Sequence, residues 1–154
     1  MKRASYVISI PVALVVALGA CRGSSRGIGP TPTDQGPFDL ILEGDASFHT
    51  PHGDESISVA VLTFTGVLVA LEQGLVSASA DPAFSFTFTN LLVDGILYEV
   101  HYWIDSNVGG GAPGVCNLPA IDHQWSMPFP SLEDVTITQV HDDSDNDPVC
   151  STFD

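Results

Sequence analysis

The sequence predicts an all-β domain, an antiparallel sandwich of about seven strands, on two observations. Between Phe38 and Asp154 short runs alternate apolar and polar residues or are rich in β-formers, and turn-forming residues separate them. Phe38 to Glu43 is the first run. Ile57 to Phe64 follows after Pro51 to Asp54, and Val67 to Leu71 follows Thr65-Gly66. Leu75 to Ser79 comes after Gln73-Gly74, although Val67 to Leu75 also suits a short helix by composition. Phe84 to Leu91 has the clearest period: Phe84, Phe86 and Phe88 share one face, and Ser85, Thr87 and Thr89 the other. Asp81-Pro82 precedes that run and Asp94-Gly95 ends it. Leu97 to Ile104 and Val135 to His141 complete the set.

The segment from Phe88 to Val100 is more specific. Leu92, Gly95 and Tyr98, each three residues apart, introduce a strand. This resembles the tyrosine corner of immunoglobulin-like and transthyretin-like sandwiches, and the Asp105-Ser-Asn107-Val-Gly109 loop beyond the strand extends the resemblance to about 25 residues. It implies that the Tyr98 hydroxyl bonds to nearby backbone. Such folds host many functions, so no activity is implied.

Ahead of the domain, Met1 to Arg3 is basic and Ala4 to Leu18 largely apolar, the layout of a secretory signal. The ending Leu18-Gly19-Ala20-Cys21 resembles the lipobox of bacterial lipoproteins. That resemblance implies cleavage after residue 20, acylation of Cys21 (palmitate among the chains) and export to the cell envelope. Arg22 stands where an inner-membrane retention signal has Asp, favouring the outer membrane in a Gram-negative host. Residues 21–37, rich in Gly, Ser, Pro and Thr after the cysteine, read as a flexible tether with a mean span of roughly 20 Å. With Cys21 acylated, Cys116 and Cys150 remain, and an oxidising compartment favours their pairing.

The charge is lopsided: 19 Asp and Glu against 4 Lys and Arg, for a net charge of -15, with every Lys and Arg before Gly27. Binding nucleic acid needs cations to displace counterions from phosphates, so nucleic acid is excluded as a partner. The membrane, reached through the N-terminal lipid, is the expected contact. Acidic loops attract hard cations, and Asp105 and Asn107, with Asp143, Asp145 and Asp147 at alternate positions, form a candidate Ca²⁺ ligand set. The full EF-hand pattern is absent. Diffuse binding of hydrated cations, as in salt adaptation, would give the same composition.

The alternative ligands are His49, His52, His101, His123 and His141. A Zn²⁺ or Cu²⁺ site needs three or four of them to converge. The expected set is His101 and His123 with one of His49, His52 or His141, and Asp122 or Glu99 orienting a ring. Cys116, His123 and Met127 follow the order of a blue-copper ligand loop, but the Cys-to-His gap is too long and Cys150 offers a better partner. No Gly-x-Ser-x-Gly elbow occurs, which leaves a hydrolase the least favoured class. His101 and Trp103 share the strand face opposite Tyr98, Val100 and Tyr102, so both are expected to be exposed as a ligand or partner surface. The favoured function is an acidic, exported binding or structural module ordered by Ca²⁺, with copper or zinc handling through histidines as the alternative.

Overall fold

A computed structural model describes residues 36–143 and 146–154. The expected signal segment, Cys21 and most of the tether lie outside the described residues, as does Asp145. Seven strands form two packed sheets: β1 Phe38–Gly44, β2 Ser56–Thr63, β3 Leu68–Leu75, β4 Phe84–Leu92, β5 Leu97–Ile104, β6 His123–Pro130 and β7 Val135–Gln139. One sheet has the order β4-β1-β7, the other β3-β2-β5-β6. No helix among the described residues is long and apolar enough to cross a membrane.

The strand set differs from the sequence expectation in two places. Val67 to Leu71 and Leu75 to Ser79 are not separate strands, because one continuous edge strand, β3, runs from Leu68 to Leu75. An edge strand with both faces largely in water carries little alternation to read. The unexpected strand is β6, which contains Pro128 and Pro130; proline is tolerated because β6 is the other edge of its sheet. One pairing also departs from the antiparallel expectation: β7 runs parallel to β1, from Leu40 opposite Val135 to Gly44 opposite Gln139. A hairpin forces antiparallel pairing only within one sheet, and the chain enters β7 by crossing over from β6 in the other.

The core follows from side-chain parity. Leu40 and Leu42 of β1 and Phe84, Phe86 and Phe88 of β4 face Ile57, Val59 and Val61 of β2 and Tyr98, Val100, Tyr102 and Ile104 of β5, all buried. Burying each large apolar side chain contributes roughly 1.5–3 kcal/mol. β6 adds Trp125 and Phe129 to the same layer, opposite Tyr102 and Tyr98. Gly44 is needed for close approach: a Cβ there would sit 2.2 Å from the Phe84 ring. Phe84 in turn packs edge-on against Phe48, ring centroids 5.0 Å apart, which fixes one wall of the site described below.

At the tyrosine corner the Val93 N–H donates to the Tyr98 hydroxyl at 3.1 Å. Gly95 takes a positive φ of 74° in the intervening turn, a conformation that costs glycine little. Replacing Tyr98 with Phe keeps the packing and strands that N–H, so a loss of about 1 kcal/mol in unfolding free energy is expected by urea denaturation. No loss would mean that the corner is held by packing alone.

Around His101 and Trp103 the outer face of the four-stranded sheet is covered, contrary to expectation. Phe153 lies edge-on to Trp103, ring centroids 6.1 Å apart, and His101 Nδ1 lies 2.8 Å from Thr152 Oγ1. Trp103 is 5% exposed. A disulfide between Cys116 and Cys150 staples this C-terminal segment to the β5–β6 loop. Val149 is buried beneath it, its N–H donating to Gln124 Oε1 at 2.9 Å. His101 and Trp103 therefore hold the tail and do not form an open binding surface.

With no cation after Arg26, several carboxylates are satisfied by N–H and O–H donors. Asp39 accepts from the Asn90 N–H at 2.7 Å, and Asp134 accepts from the Asp39 N–H at 2.9 Å. Asp45 caps the 3₁₀ turn Ala46–Phe48, and the bonds it accepts from the Ser47 hydroxyl and then the Ser47 N–H lower its pKa.

Candidate metal centre

Three histidines from separate parts of the chain meet at one end of the sandwich. His52 ends a short helical turn, His49–His52, between β1 and β2. His123 opens β6, and His141 stands two residues beyond β7. His52 Nε2 is 3.0 Å from His141 Nε2, which is 3.3 Å from His123 Nδ1. Ligand atoms of all three lie within 4.8 Å of one another. A tetrahedral metal with bonds of about 2.0 to 2.1 Å to nitrogen has ligand-to-ligand edges of about 3.3 Å, close to the two shorter separations.

Each ring is held by the fold. The His52 side chain is buried, and its Nδ1 lies 2.7 Å from Glu55 Oε2 and 3.3 Å from Ser106 Oγ. A carboxylate only accepts, so Nδ1 carries the proton and Nε2 turns its lone pair toward the other two rings. This is the carboxylate-to-imidazole arrangement that orients metal-binding histidines. The His141 backbone N–H donates to Ser47 Oγ at 2.8 Å. Phe48 and Trp125 form the apolar wall: ring centroids are 5.4 Å apart for Phe48 and His141, and 5.3 Å for Trp125 and His123.

Burial depresses the pKa of His52 to about 4, and repulsion from His141 adds to the effect. His123 is likewise pushed down to about 4, first by burial and then by His52 and His141. Burial raises the Glu55 pKa. Near neutral pH both depressed rings are neutral and offer lone pairs, so a cation meets nitrogens that need not first lose protons.

The same shifts set an acid response of the metal-free protein. Between about pH 4 and pH 6.5 the unfolded chain binds protons at His52 and His123 that the folded chain does not. Unfolding free energy therefore falls as pH falls through that window and recovers as pH rises. Urea midpoints taken with chelator at pH 7, 5.5 and 4.5 should decline in that order, and less steeply in His123→Ala. A midpoint that rises on acidification would mean that the rings are protonated in the folded state.

The structure brings together only part of the expected histidine set. His101 pairs with Ser126 and His123 with Ile104 across β5 and β6, so their side chains project from opposite faces of the sheet. They cannot share an ion. His49 Nε2 lies 2.5 Å from the Ala80 carbonyl oxygen, apart from the cluster. Glu99 lies beside His101, 3.4 Å from its Nε2. Asp122 accepts from the Asn107 and Asn117 N–H groups at 3.0 and 2.8 Å, holding the β5–β6 loop. Glu55, which sequence reasoning passed over, is the carboxylate that orients a ring. Its only signal was a spacing of three from His52.

Among the described residues, Asp105 with Asn107, Asp143 and Asp147 lie apart with separate partners. Asp105 accepts from the Gly114 N–H at 2.6 Å and from the Asn107 side-chain amide, so that carboxylate already has donors. Asp147 accepts from the Ser126 hydroxyl at 2.8 Å on the far side of β6. Asp143 lies instead beside His141, its Oδ1 3.4 Å from Nε2. Nothing in this arrangement supports Ca²⁺. The blue-copper order fails as well, since Cys116 is bonded to Cys150, and the Met127 sulfur accepts from Gln139 Nε2 at 3.1 Å.

No family model and no curated protein matches the chain. Among solved structures, the chain is similar to a fimbrial assembly protein from Parabacteroides distasonis, at 11% identity and a TM-score of 0.36 over 67% of this chain and 51% of that one. The match thus spans about half the length of that protein.

Proposed function

We propose that this chain is an exported, lipid-anchored β-sandwich that binds Zn²⁺ or Cu²⁺ through His52, His123 and His141. The convergence of the three ring nitrogens in a half-buried, aromatic-walled niche is the observation that carries this reading. Three imidazoles, one oriented by Glu55, form a donor set suited to borderline metals and poorly suited to Ca²⁺, which takes oxygen ligands. The disulfide supports an oxidising compartment. The lipobox-like ending at Cys21 supports anchorage to the membrane, with residues 22–37 as the tether and residues 38–154 as the displayed domain.

Thermal melts of the chelator-stripped protein, titrated separately with Zn²⁺, Cu²⁺, Ca²⁺ and NaCl, test the reading. A ligand that binds only the folded state stabilises it by RT ln(1 + [L]/Kd), about 2.7 kcal/mol at a hundredfold excess over Kd. A rise in Tm with micromolar Zn²⁺ or Cu²⁺ is expected, with no comparable response to Ca²⁺. Stabilisation only by molar NaCl would remove the metal site and leave a salt-adapted acidic scaffold.

A further inference from the structure

Building on the three-histidine reading, we propose that Asp143 is the fourth ligand, closing the centre into a four-coordinate His₃Asp site that favours Zn²⁺ over Cu⁺. His141 Nε2 has three potential ligand atoms around it: His52 Nε2 at 3.0 Å, His123 Nδ1 at 3.3 Å and Asp143 Oδ1 at 3.4 Å. One vertex of a tetrahedral ligand set has three neighbours, each about 3.3 Å away for zinc bonds of about 2.0 to 2.2 Å. Asp143 meets that spacing at His141, while the group whose ligand atoms all lie within 4.8 Å of one another holds the three histidines alone. The exposed carboxylate therefore has to turn inward when the ion binds. The carboxylate lies two residues from His141, on the segment that leaves β7, and its side chain is 83% exposed. It therefore reaches His141 from solvent.

A carboxylate in that place changes what the site selects. Three imidazoles alone suit zinc and copper alike, whereas a hard anionic oxygen favours Zn²⁺ over Cu⁺, which prefers softer donors. It also offsets one of the two charges of the ion. With four protein ligands no position is left for a metal-bound water, the condition of a structural or storage site; catalytic zinc keeps one position open. The centre then holds zinc and does not use it for hydrolysis.

The test is metal binding by the whole protein and its Asp143→Asn variant, with Asp147→Asn, on the far side of β6, as the control. Zn²⁺ affinity is read by competition with a chromophoric chelator, Cu⁺ affinity in the same way under reductant too weak to open the disulfide, and coordination by the visible spectrum of the Co²⁺ form. Asp143→Asn should lose about tenfold or more in Zn²⁺ affinity, change the Co²⁺ spectrum and keep its Cu⁺ affinity, while Asp147→Asn matches wild type. Wild-type Zn²⁺ affinity and an unaltered Co²⁺ spectrum in Asp143→Asn would overturn the fourth ligand, yet leave the histidine site standing if His52→Ala still abolishes binding. Equal losses of Zn²⁺ and Cu⁺ affinity in Asp143→Asn would overturn the claimed selectivity. A wild-type protein that binds none of Zn²⁺, Cu⁺ and Cu²⁺ ends both readings together.

Discussion

Replacing His52 with alanine is expected to abolish micromolar binding of Zn²⁺ or Cu²⁺, a loss of more than about 100-fold. Removing a partner that only orients a metal-bound histidine already costs about 10- to 100-fold, and Glu55→Gln should fall in that range. His52 is the most buried member of the cluster, and its Nε2 is fixed by the bond from Nδ1 to Glu55. No other histidine can swing in: His49 is engaged at Ala80, and His101 lies on the other face of the sheet. His101→Ala is therefore the informative control, and its metal affinity should match wild type. Calorimetric titration of the variants decides the matter independently of their melting temperatures, which His52→Ala also changes by emptying a core position. A site that survives His52→Ala, or that His101→Ala destroys, would place the metal elsewhere.

Replacing Cys116 and Cys150 together with serine is expected to lower unfolding free energy by about 3 to 4 kcal/mol, from the chain entropy of a loop closed across 34 residues. The bond also holds the segment that covers the outer sheet face. Without it, Phe153 and Thr152 keep only a ring contact with Trp103 and a hydrogen bond to His101. Trp103 should then become accessible to an aqueous quencher such as acrylamide, while Trp125, in the main core, stays protected. Urea denaturation and quenching together separate the two effects. A loss under about 1 kcal/mol with Trp103 still protected would mean that burial of Val149 and Phe153, and not the covalent bond, secures the tail.

Much of the fold was legible because burial on one face leaves a period of two. Phe84, Phe86 and Phe88 declared β4 in full, and Tyr98, Val100 and Tyr102 declared the core face of β5. The same period was present in β6, where His123, Trp125, Met127 and Phe129 face inward opposite Ile104, Tyr102, Val100 and Tyr98. Pro128 and Pro130 interrupt it, and only the position of β6 at a sheet edge explains why they are allowed. In β3 the difficulty was the reverse: an edge strand with apolar residues on exposed faces gives no inside to read.

The sequence by itself determined the all-β class, the tyrosine corner, the absence of cations from the folded domain and the pair of cysteines suited to a disulfide. Each depends on residue type or on spacing within a strand or turn. Only the tertiary structure decided which histidines meet, because His52, His123 and His141 are separated by 71 and 18 residues along the chain. They converge through the packing of a helical turn, the first residue of β6 and the exit of β7 at one end of the sandwich. Parity separated His101 from His123, and that parity required the register of β5 against β6, a strand concealed in the sequence. Likewise, strand alternation placed His101 and Trp103 on the outer face, while the chain's own C-terminal segment, stapled there by the disulfide, decided that the face is covered.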